Sequence, residues 1–247
     1  GYASMETVTT PASDLGICEH GDGDYSGEIA SLDAVLVERY IADLPINTSF
    51  YEQCADIAES GNVTSLDATL ILQELSNIDS NAKAAEVTEA AGTSAELRIK
   101  NVSARPGSNL SVPVNVPNGN SVAGYQTKIS YNSSLITVKD VAGVDFGNPT
   151  ANINNTAGEV TFVDAKADGT NEPHLVNLVV SVNEDFDSTA NLSINETQTK
   201  LNNENSLLSV EESSGTISMA ESVFNVSIED ITSPVTAGTP LQTEVKV

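Results

Sequence analysis

Residues 22–34 read DGDYSGEIASLDA, and residues 56–68 read DIAESGNVTSLDA. The two segments lie 34 residues apart and both end in Ser-Leu-Asp-Ala, so the chain contains an internal repeat. Each copy is predicted to be a loop followed by an amphipathic helix, and the two apolar stripes are expected to pack against each other. The apolar residues at helical spacing are Leu32, Val35, Leu36 and Tyr40 in the first copy, and Leu66, Leu70, Ile71 and Leu75 in the second.

The first loop has the pattern of an EF-hand-type calcium site. Oxygen ligands alternate along about twelve residues of such a loop, with glycine at the sixth position and a carboxylate at the last. Gly27 holds the glycine position, and Ile29 is the apolar residue expected to pack inward. An acidic turn that only caps a helix is the alternative, but it would not require this spacing. The predicted ligands are the side chains of Asp22, Asp24, Ser26 and Asp33 and the backbone carbonyl of Glu28.

The second loop keeps this pattern with one exception. Its third position is Ala58, which has no side-chain oxygen. A water molecule could replace the missing ligand, or the site could be vestigial, because fewer charged ligands lower the affinity for calcium. The predicted ligands are the side chains of Asp56, Ser60 and Asp67 and the backbone carbonyl of Asn62.

The residues that follow the repeat have a different pattern. They form short β-rich segments separated by Asn, Gly and Ser turns, with alternation such as that of Val112, Val114 and Val116. Short strands at this density, without helices between them, predict a β-sandwich or a jelly roll. The predicted strands are residues 96–102, 110–116, 124–131, 136–141, 160–163, 175–182, 192–194 and 216–218.

The composition divides the chain into five parts, so the predicted fold class is multidomain. Residues 1–17 are a tail or strand, 18–80 a small all-α EF-hand-like calcium module, 81–95 a linker and 96–219 an all-β jelly-roll sandwich. Residues 220–247 read as two strands and a turn. They are interpreted either as the start of a further sandwich repeat or as a donor strand that completes a sheet in another molecule.

The charge of the chain limits its partners. The sequence has 35 acidic and 10 basic residues, a net charge of -25, which excludes a basic surface for nucleic acid. Such a field attracts divalent cations, although it can equally serve solubility in salty surroundings. No apolar run approaches the roughly 20 residues that a membrane-spanning helix needs, so no membrane span is predicted.

The sequence shows no recognisable catalytic motif. It has 2 histidines and lacks the sequence patterns of serine hydrolases, zinc peptidases and phosphate-binding loops. Acidic pairs are abundant, as a glycosidase would need. However, the chain has no Trp and only 4% aromatic residues, which leaves few platforms for sugar rings. We therefore expect a protein that is not an enzyme.

Cysteines and sequons favour an extracellular or cell-surface location. A disulfide between Cys18 and Cys54 is the default expectation in an oxidising compartment, and two unrelated buried thiols are the alternative. The first residues lack the pattern of a signal peptide, so a leader has been removed or never existed. Asn-x-Ser/Thr sequons are about twice as frequent as chance predicts, which favours glycosylation. They lie at Asn47, Asn62, Asn101, Asn109, Asn132, Asn154, Asn191, Asn195 and Asn225.

The doubled loop and helix resemble dockerin modules. The resemblance rests on two tandem calcium loops, a closing Asp instead of Glu, and no helix before the first loop. It covers residues 18–80 and departs from the family pattern at Ala58 and at the two cysteines. The resemblance implies Ca2+ as the bound ion and a surface, shaped by the two loops, that binds a cohesin domain.

The strand region resembles cohesin domains. Pro106-Gly107 precedes the segment 110–114, the strand 124–131 and the segment 158–165 follow, and Gly215 to Met219 closes the match. The order and spacing of these pieces carry the resemblance, since each piece alone is weak. The family fold implied is a nine-stranded jelly roll that receives dockerins on one sheet face.

The resemblance also implies which residues face a partner. The binding face would lie on the strands at 124–131 and 160–166, with Gln126, Lys128 and Lys166 on it. Basic side chains there would meet an acidic dockerin favourably and would mainly affect specificity and association rate. Lysines that only keep an exposed edge soluble are the alternative.

Taken together, these features predict an extracellular calcium-dependent structural or assembly protein. Copies would self-associate through dockerin–cohesin-type contacts or by strand addition, and head-to-tail contacts of this kind propagate into a filament or surface layer. The first alternative is an adaptor scaffoldin that binds cohesin and dockerin proteins other than itself. The second is docking of the two modules within one chain.

Overall fold

The computed structural model describes residues 18–76 and 94–220. The predicted tail at 1–17, most of the predicted linker and the predicted strands after residue 220 lie outside these residues. The helical module contains α1 (Ser31–Ile41), α2 (Glu52–Ala55) and α3 (Ser65–Leu75). Of these, α2 was not predicted, because four residues are too few to show a helical period.

The closing aspartate of each loop also starts the helix that follows. The carboxylate of Asp33 accepts a hydrogen bond from the backbone N–H of Ala30 at 2.8 Å, and Asp67 accepts one from Thr64 at 2.7 Å. These carboxylates satisfy N–H groups that the first helical turn leaves free, and they lie at the positive end of the helix dipole. The calcium loops and the helices are therefore joined at the same side chain.

The helices α1 and α3 pack against each other, but not through all of the predicted stripe residues. Leu32, Val35, Tyr40 and Leu75 were expected inside and are 38–48% exposed. In α1 the contact with α3 is made by Ala34 and Val37, whose small side chains allow a close approach. The helical core consists of Ala34, Val37, Ala55, Ile57, Ala58, Leu66, Ala68, Leu70 and Ile71.

The second module is a β-sandwich, as predicted, built from strands that are longer and more numerous than expected. The implied count of nine is wrong, since twelve strands pair with one another in the part of the chain that the structure describes. The prediction missed the strands Thr150–Asn154, Lys200–Asn202 and Leu207–Ser213, and it reached Val102–Ala104 only at its first residue, because these segments are short or alternate weakly. The strands are β1 (Ser94–Ile99), β2 (Val102–Ala104), β3 (Asn109–Asn115), β4 (Val122–Tyr131), β5 (Ile136–Gly143), β6 (Thr150–Asn154), β7 (Glu159–Thr170), β8 (His174–Val182), β9 (Thr189–Ile194), β10 (Lys200–Asn202), β11 (Leu207–Ser213) and β12 (Gly215–Met219).

Two layers enclose the sandwich core. One layer runs β5-β8-β3-β1-β11, and the other contains β6, β7, β4, β9, β12 and β2, with β10 joining β4 to β11. Tyr125, Ile129 and Phe162 point inward from the second layer and meet Leu97 and Leu178 from the first. Because side chains alternate along a strand, Gln126 and Lys128 on β4 lie on the outer face. The helix α3 packs on this outer face, against β4, β7 and β10.

Candidate calcium loops and docking interface

The first loop brings its predicted acidic ligands together. Carboxylate oxygens of Asp22, Asp24 and Asp33 lie within 4.8 Å of one another. Asp22 is fixed by hydrogen bonds from the backbone N–H groups of Ser26 at 2.9 Å and Gly27 at 2.8 Å. Gly27 has a φ of 93°, a left-handed conformation that glycine adopts without strain and that turns the loop back on itself.

Two further oxygens belong to the same loop. The Ser26 hydroxyl donates to the Glu28 carbonyl at 3.2 Å and to Asp22 at 3.3 Å. Burial raises the pKa of Asp33, and the negative charges of Asp24 and Asp22 raise it further. Crowded carboxylates and hard oxygen donors are the chemistry that Ca2+ requires, and the ion would offset their mutual repulsion. The residues present therefore fit the calcium ion that the sequence predicts.

The second loop contains nearly the same set of hydrogen bonds as the first. Asp56 accepts hydrogen bonds from the N–H groups of Ser60 at 2.9 Å and Gly61 at 2.7 Å, and the Ser60 hydroxyl donates to the Asn62 carbonyl at 2.8 Å. Asp67 accepts from the Ala58 N–H at 3.0 Å. The backbone of the second loop is therefore held in the same turn as that of the first.

The difference between the loops is the side chain at the third position. Where the first loop has Asp24, the methyl group of Ala58 packs into the helical core. Burial raises the pKa of Asp67 to about 7, and repulsion from Asp56 contributes in the same direction. A second site with two carboxylates and a buried closing Asp would hold Ca2+ more weakly than the first.

A disulfide joins the two repeats. Cys18 and Cys54 are bonded, with their Cα atoms 5.8 Å apart. Cys18 stands just before the first loop, and Cys54 lies in α2, just before the second. Next to the bridge, the Gly21 N–H donates to the Cys54 carbonyl at 2.6 Å. The bridge therefore holds the beginnings of the two calcium loops beside each other.

Polar residues on one face of α3 contact the sandwich. Ser65, Thr69 and Gln73 follow one another at four-residue spacing, which places them on the same helix face. The Ser65 N–H donates to Gln126 Oε1 at 3.0 Å, and the Ser65 hydroxyl donates to Asn202 Oδ1 at 2.8 Å. We call this contact, formed by Ser65, Thr69, Gln73, Gln126 and Asn202, the docking interface.

The hydrogen bonds of the docking interface continue along the helix. Asn202 Nδ2 donates to Thr69 Oγ1 at 3.0 Å, and that hydroxyl donates to the Ala123 carbonyl at 3.3 Å. Gln73 Nε2 donates to the carbonyls of Ala167 and Glu204, both at 3.0 Å. Ser65, Thr69 and Asn202 are fully buried. Because unpaired buried polar groups are costly, these residues depend on one another across the interface.

A glycine allows the helix to approach the sheet. A Cβ atom at Gly124 would lie 2.4 Å from Asn202 Oδ1 and 2.9 Å from Thr69 Oγ1. Any larger residue at this position of β4 would therefore displace the two side chains that link α3 to the sandwich.

The three residues predicted to face a partner have different surroundings. Gln126 contacts α3 as described, whereas Lys128 forms an ion pair with Glu159 at 2.8 Å. Lys128 lines a groove between the modules together with Tyr40. Lys166 Nζ donates to Thr170 Oγ1 at 2.7 Å and lies 5.0 Å from the centre of the Phe146 ring.

Most of the docking interface was not identified from the sequence. Ser65, Thr69 and Gln73 form a polar line along an otherwise apolar helix, and that line was the available signal. No comparable signal marks Asn202, which lies in a strand that was itself missed.

The sequon asparagines of the described residues lie at the surface. Asn195 is half-buried, and its side chain accepts a hydrogen bond from Thr197 at 2.9 Å. Asn225 lies outside the described residues. The exposed sequon asparagines are Asn47, Asn62, Asn101, Asn109, Asn132, Asn154 and Asn191.

Family comparisons agree with this geometry. A model of the cohesin domain matches residues 95–219, which is half of the chain. The chain belongs to the cohesin family. A model of the dockerin type I domain matches residues 20–76, so this cohesin is preceded by a dockerin on the same chain. Both modules mediate contacts between proteins without catalysis, and they identify protein–protein assembly as the role of the chain.

Solved structures similar to this chain include cohesins. The solution structure of CaCohA2 from Clostridium acetobutylicum is 22% identical, with a TM-score of 0.47, and covers 53% of this chain and 94% of its own. A type I cohesin–dockerin complex from Clostridium thermocellum is 17% identical, with a TM-score of 0.47, and covers 51% and 99%. A non-cellulosomal cohesin from Archaeoglobus fulgidus is 17% identical, with a TM-score of 0.44, and covers 52% and 92%. No curated protein matches the chain.

Two further findings concern the surroundings of the protein. Type I dockerins are calcium-binding modules, and the acidic cluster of Asp22, Asp24 and Asp33 is where such an ion would bind. Among the described residues, no helix has the length and apolar character needed to cross a membrane.

Proposed function

We propose that the protein is an extracellular, calcium-dependent assembly subunit whose dockerin docks on the cohesin of the same chain. The observation that carries this proposal is the docking interface, where Ser65, Thr69 and Asn202 are fully buried and satisfy one another's hydrogen bonds. We call this arrangement the docked state.

Connectivity favours docking within the chain. Residues 77–93 join the two modules, which makes docking an intramolecular step. A short connection raises the effective concentration of one module near the other to the millimolar range. A separate dockerin at micromolar concentration would then compete poorly for the same face of β4 and β7.

Calcium would control the docked state through the helices. Asp33 and Asp67 each close a loop and start a helix, so the ion and the helix N-terminus share one side chain. Without the ion, repulsion between Asp22, Asp24 and Asp33 would loosen the first loop. The orientation of α3 relative to the sandwich would then be lost as the helical module loosens.

Self-association into a filament or surface layer would use the same contact between copies. If the dockerin of one chain occupies the cohesin of the next, the docking interface is preserved and the contact becomes head-to-tail. Such an exchange needs the docked state to open first. It therefore depends on protein concentration and on transient removal of calcium.

The extracellular location rests on two observations. The disulfide between Cys18 and Cys54 is typical of oxidising compartments, and exposed sequon asparagines are distributed over both modules. We propose that these sequons carry glycans and that the protein has no catalytic role. Glycosidase treatment of the protein isolated from its source, followed by mass spectrometry, tests the glycan assignment.

An adaptor that binds other cohesins and dockerins is a second candidate. The observation that favours it is the exposed face of α1, where Leu32 is 48% and Val35 is 45% exposed even though α3 is docked. In this case the chain would capture heterologous cohesin or dockerin proteins but not copies of itself. A binding assay between differently tagged copies separates the two functions.

Sedimentation velocity of the full chain tests the primary proposal. With calcium at low micromolar concentration we expect a compact monomer, and with a chelator a monomer of higher frictional ratio. Transient chelation at high concentration, followed by calcium, should give oligomers. A frictional ratio that does not respond to calcium would contradict control of docking by calcium, and absence of oligomers after exchange would contradict the filament.

A further inference from the structure

A single short segment of the cohesin binds three successive turns of α3. Asn202, at the end of β10, accepts a hydrogen bond from the Ser65 hydroxyl through its side-chain oxygen and donates to the Thr69 hydroxyl through its amide nitrogen. Two residues further on, the Glu204 carbonyl accepts from Gln73 Nε2. The segment between β10 and β11 therefore contacts every polar residue that α3 directs towards the sandwich.

This segment, residues 202–206, is closed by its own side chains, and we call it the β10–β11 turn. Asn203 Oδ1 accepts hydrogen bonds from the N–H groups of Asn205 and Ser206, both at 2.8 Å. The Asn203 N–H donates to the Ser206 carbonyl at 3.0 Å, and the Asn202 amide nitrogen also donates to the Asn203 carbonyl at 2.9 Å. An asparagine that binds backbone N–H groups two and three residues on stabilises a turn locally. These bonds do not involve α3.

The carboxylate of Glu204 holds the β10–β11 turn against the sheet. Its Oε1 atom accepts from the Ser121 hydroxyl at 2.6 Å and from the Gly169 N–H at 2.9 Å. Ser121 lies directly before β4 and Gly169 lies near the end of β7, so one side chain joins the turn to two paired strands. A Cβ atom at Gly169 would collide with Ser121, so glycine allows both donors to reach the same oxygen.

Neutral donors, and not a cation, fix this carboxylate. Among the described residues, Glu204 forms no ion pair. Burial acts to raise the pKa of Glu204, but the hydrogen bonds from Ser121 and Gly169 lower it below its ordinary value. The carboxylate is therefore charged at neutral pH, and a charged acceptor forms shorter and stronger hydrogen bonds than a neutral one.

We propose that the β10–β11 turn is a preformed recognition element, positioned by Glu204, that selects a helix with two hydroxyl groups and one amide at four-residue spacing. Ser65, Thr69 and Gln73 supply these groups in the docked state. Because the turn has its shape without the helix, docking does not have to order it, which favours the docked state. This inference rests on the proposed docking within the chain, and it identifies the kind of helix that the cohesin accepts.

The arrangement of donors and acceptors defines the helix that fits. The Asn202 side chain requires a donor at Ser65 and an acceptor at Thr69. Gln73 faces two backbone carbonyls, and its Oε1 atom has no hydrogen-bond partner among the described residues, so this position requires a donor. Since Asn202 is fully buried, water does not replace a missing group, and a mismatched helix leaves buried polar atoms unpaired.

Amide hydrogen exchange of the full chain at saturating calcium tests the role of Glu204. Exchange of α3 measures opening of the docked state, and exchange of β3 and β8 measures the stability of the sandwich. Glu204→Ala removes both bonds of the carboxylate, so the opening constant of α3 should rise about tenfold while β3 and β8 stay unchanged. Glu204→Gln keeps an oxygen that can accept both bonds, so its opening constant should rise only about threefold or less.

Asn205→Ala is the matched control, because its side chain is exposed in the same turn. We expect it to leave the exchange of α3 unchanged. An effect of Asn205→Ala equal to that of Glu204→Ala would contradict a specific role of Glu204.

A double-mutant cycle distinguishes positioning of the turn from a general effect on stability. Gln73→Ala should weaken docking less in a chain that already carries Glu204→Ala, because Glu204 acts through the carbonyl that Gln73 binds. Strictly additive effects would overturn this role. Gln73→Glu, which keeps the size of the side chain but removes the donor, should weaken docking more than Gln73→Ala. Docking of Gln73→Glu equal to that of the unaltered chain would refute the selection of a donor.

Thr69→Arg separates failure of this inference from failure of docking itself. If Thr69→Arg does not change the exchange of α3, docking within the chain is refuted. If it opens the docked state and Glu204→Ala does not, docking stands and the role of Glu204 is refuted. Should Glu204→Ala also lower the protection of β3 and β8, Ser121→Ala decides, because it removes one bond and leaves the carboxylate in place. Unchanged exchange of α3 in Ser121→Ala would then refute the proposal.

Discussion

The two repeats of the dockerin differ in the features of the motif that they retain. The first has all of the predicted loop ligands, three of whose carboxylates lie together, yet Leu32 and Val35 of its helix are largely exposed. The second has Ala58 in place of a predicted ligand, yet its helix is enclosed on nearly all sides. The predicted metal ligands and the residues that contact the sandwich are thus separable features of one motif.

Differences at single equivalent positions explain why α3 contacts the sandwich and α1 leaves this face exposed. Thr69 and Gln73 on α3 correspond, at the 34-residue shift, to Val35 and Arg39 on α1. A hydroxyl and an amide can pair with sheet carbonyls, as Thr69 and Gln73 do with Ala123 and Ala167. A valine cannot donate a hydrogen bond, and Arg39 is engaged with the Pro45 carbonyl.

The largest expected effect separates the two helices directly. Thr69→Arg places a charge in a fully buried position and should destabilise the docked state by about 3–5 kcal/mol, because that charge has no partner there. Val35→Arg, at the equivalent position of α1, should change stability by about 0.5 kcal/mol or less. Amide hydrogen exchange of α3 measures the stability of the docked state in both variants. Equal effects of the two variants would mean that the copies are interchangeable.

Removing the link between the copies should have the next largest effect. Replacing Cys18 and Cys54 by Ser opens a bridge across 36 residues and should destabilise the helical module by about 3–4 kcal/mol. The sandwich should keep its own unfolding transition. Thermal unfolding followed at a helical circular dichroism wavelength, and separately by amide exchange of β3 and β8, distinguishes the modules. Loss of protection in both modules alike would contradict a local role of the bridge.

A smaller steric change at the sheet should loosen only the second copy. Gly124→Ala brings a methyl group against Asn202 and Thr69 and should weaken docking by about 1–3 kcal/mol. Combining it with Asn202→Ala forms a double-mutant cycle. We expect Gly124→Ala to weaken docking less in a chain that already carries Asn202→Ala. Strictly additive effects of the two substitutions would show that a methyl group at position 124 does not collide with the Asn202 side chain.

The smallest expected effect concerns the calcium loops. Asp24→Ala should lower the affinity of the first loop about tenfold, and Ala58→Asp should raise that of the second by a similar factor, because both change one charged ligand. Calorimetric titration should resolve two sites of different calcium affinity in the unaltered chain. In either variant the two affinities should be more similar. Unchanged affinity after Ala58→Asp would mean that this position does not face the ion.

The sequence predicted local features well, because those depend on neighbouring residues. The convergence of Asp22, Asp24 and Asp33, the turn at Gly27 and the β-rich texture after residue 95 all follow from short-range chemistry. Which helix would dock could not be predicted, since α1 and α3 have the same period and similar apolar content. The difference between them depends on Asn202 and Gln126, which are far away in the chain.

The surroundings of the charged residues could not be predicted either, because they too depend on residues that are distant in the chain. Lys128 and Lys166 were singled out because the cohesin resemblance places them on the binding face, whereas the hydrogen bonds with α3 come from neutral amides, hydroxyls and backbone groups.

Cross-linking of mixed isotopes tests docking within the chain most directly. Tyr40→Cys and Gln198→Cys place thiols from the two modules in one groove, where a short bismaleimide can join them. Equal amounts of unlabelled and nitrogen-15-labelled protein are mixed at low micromolar concentration with calcium, cross-linked and digested. Docking within the chain predicts linked peptides that are both light or both heavy. Mixed light–heavy pairs as frequent as unmixed ones would contradict it.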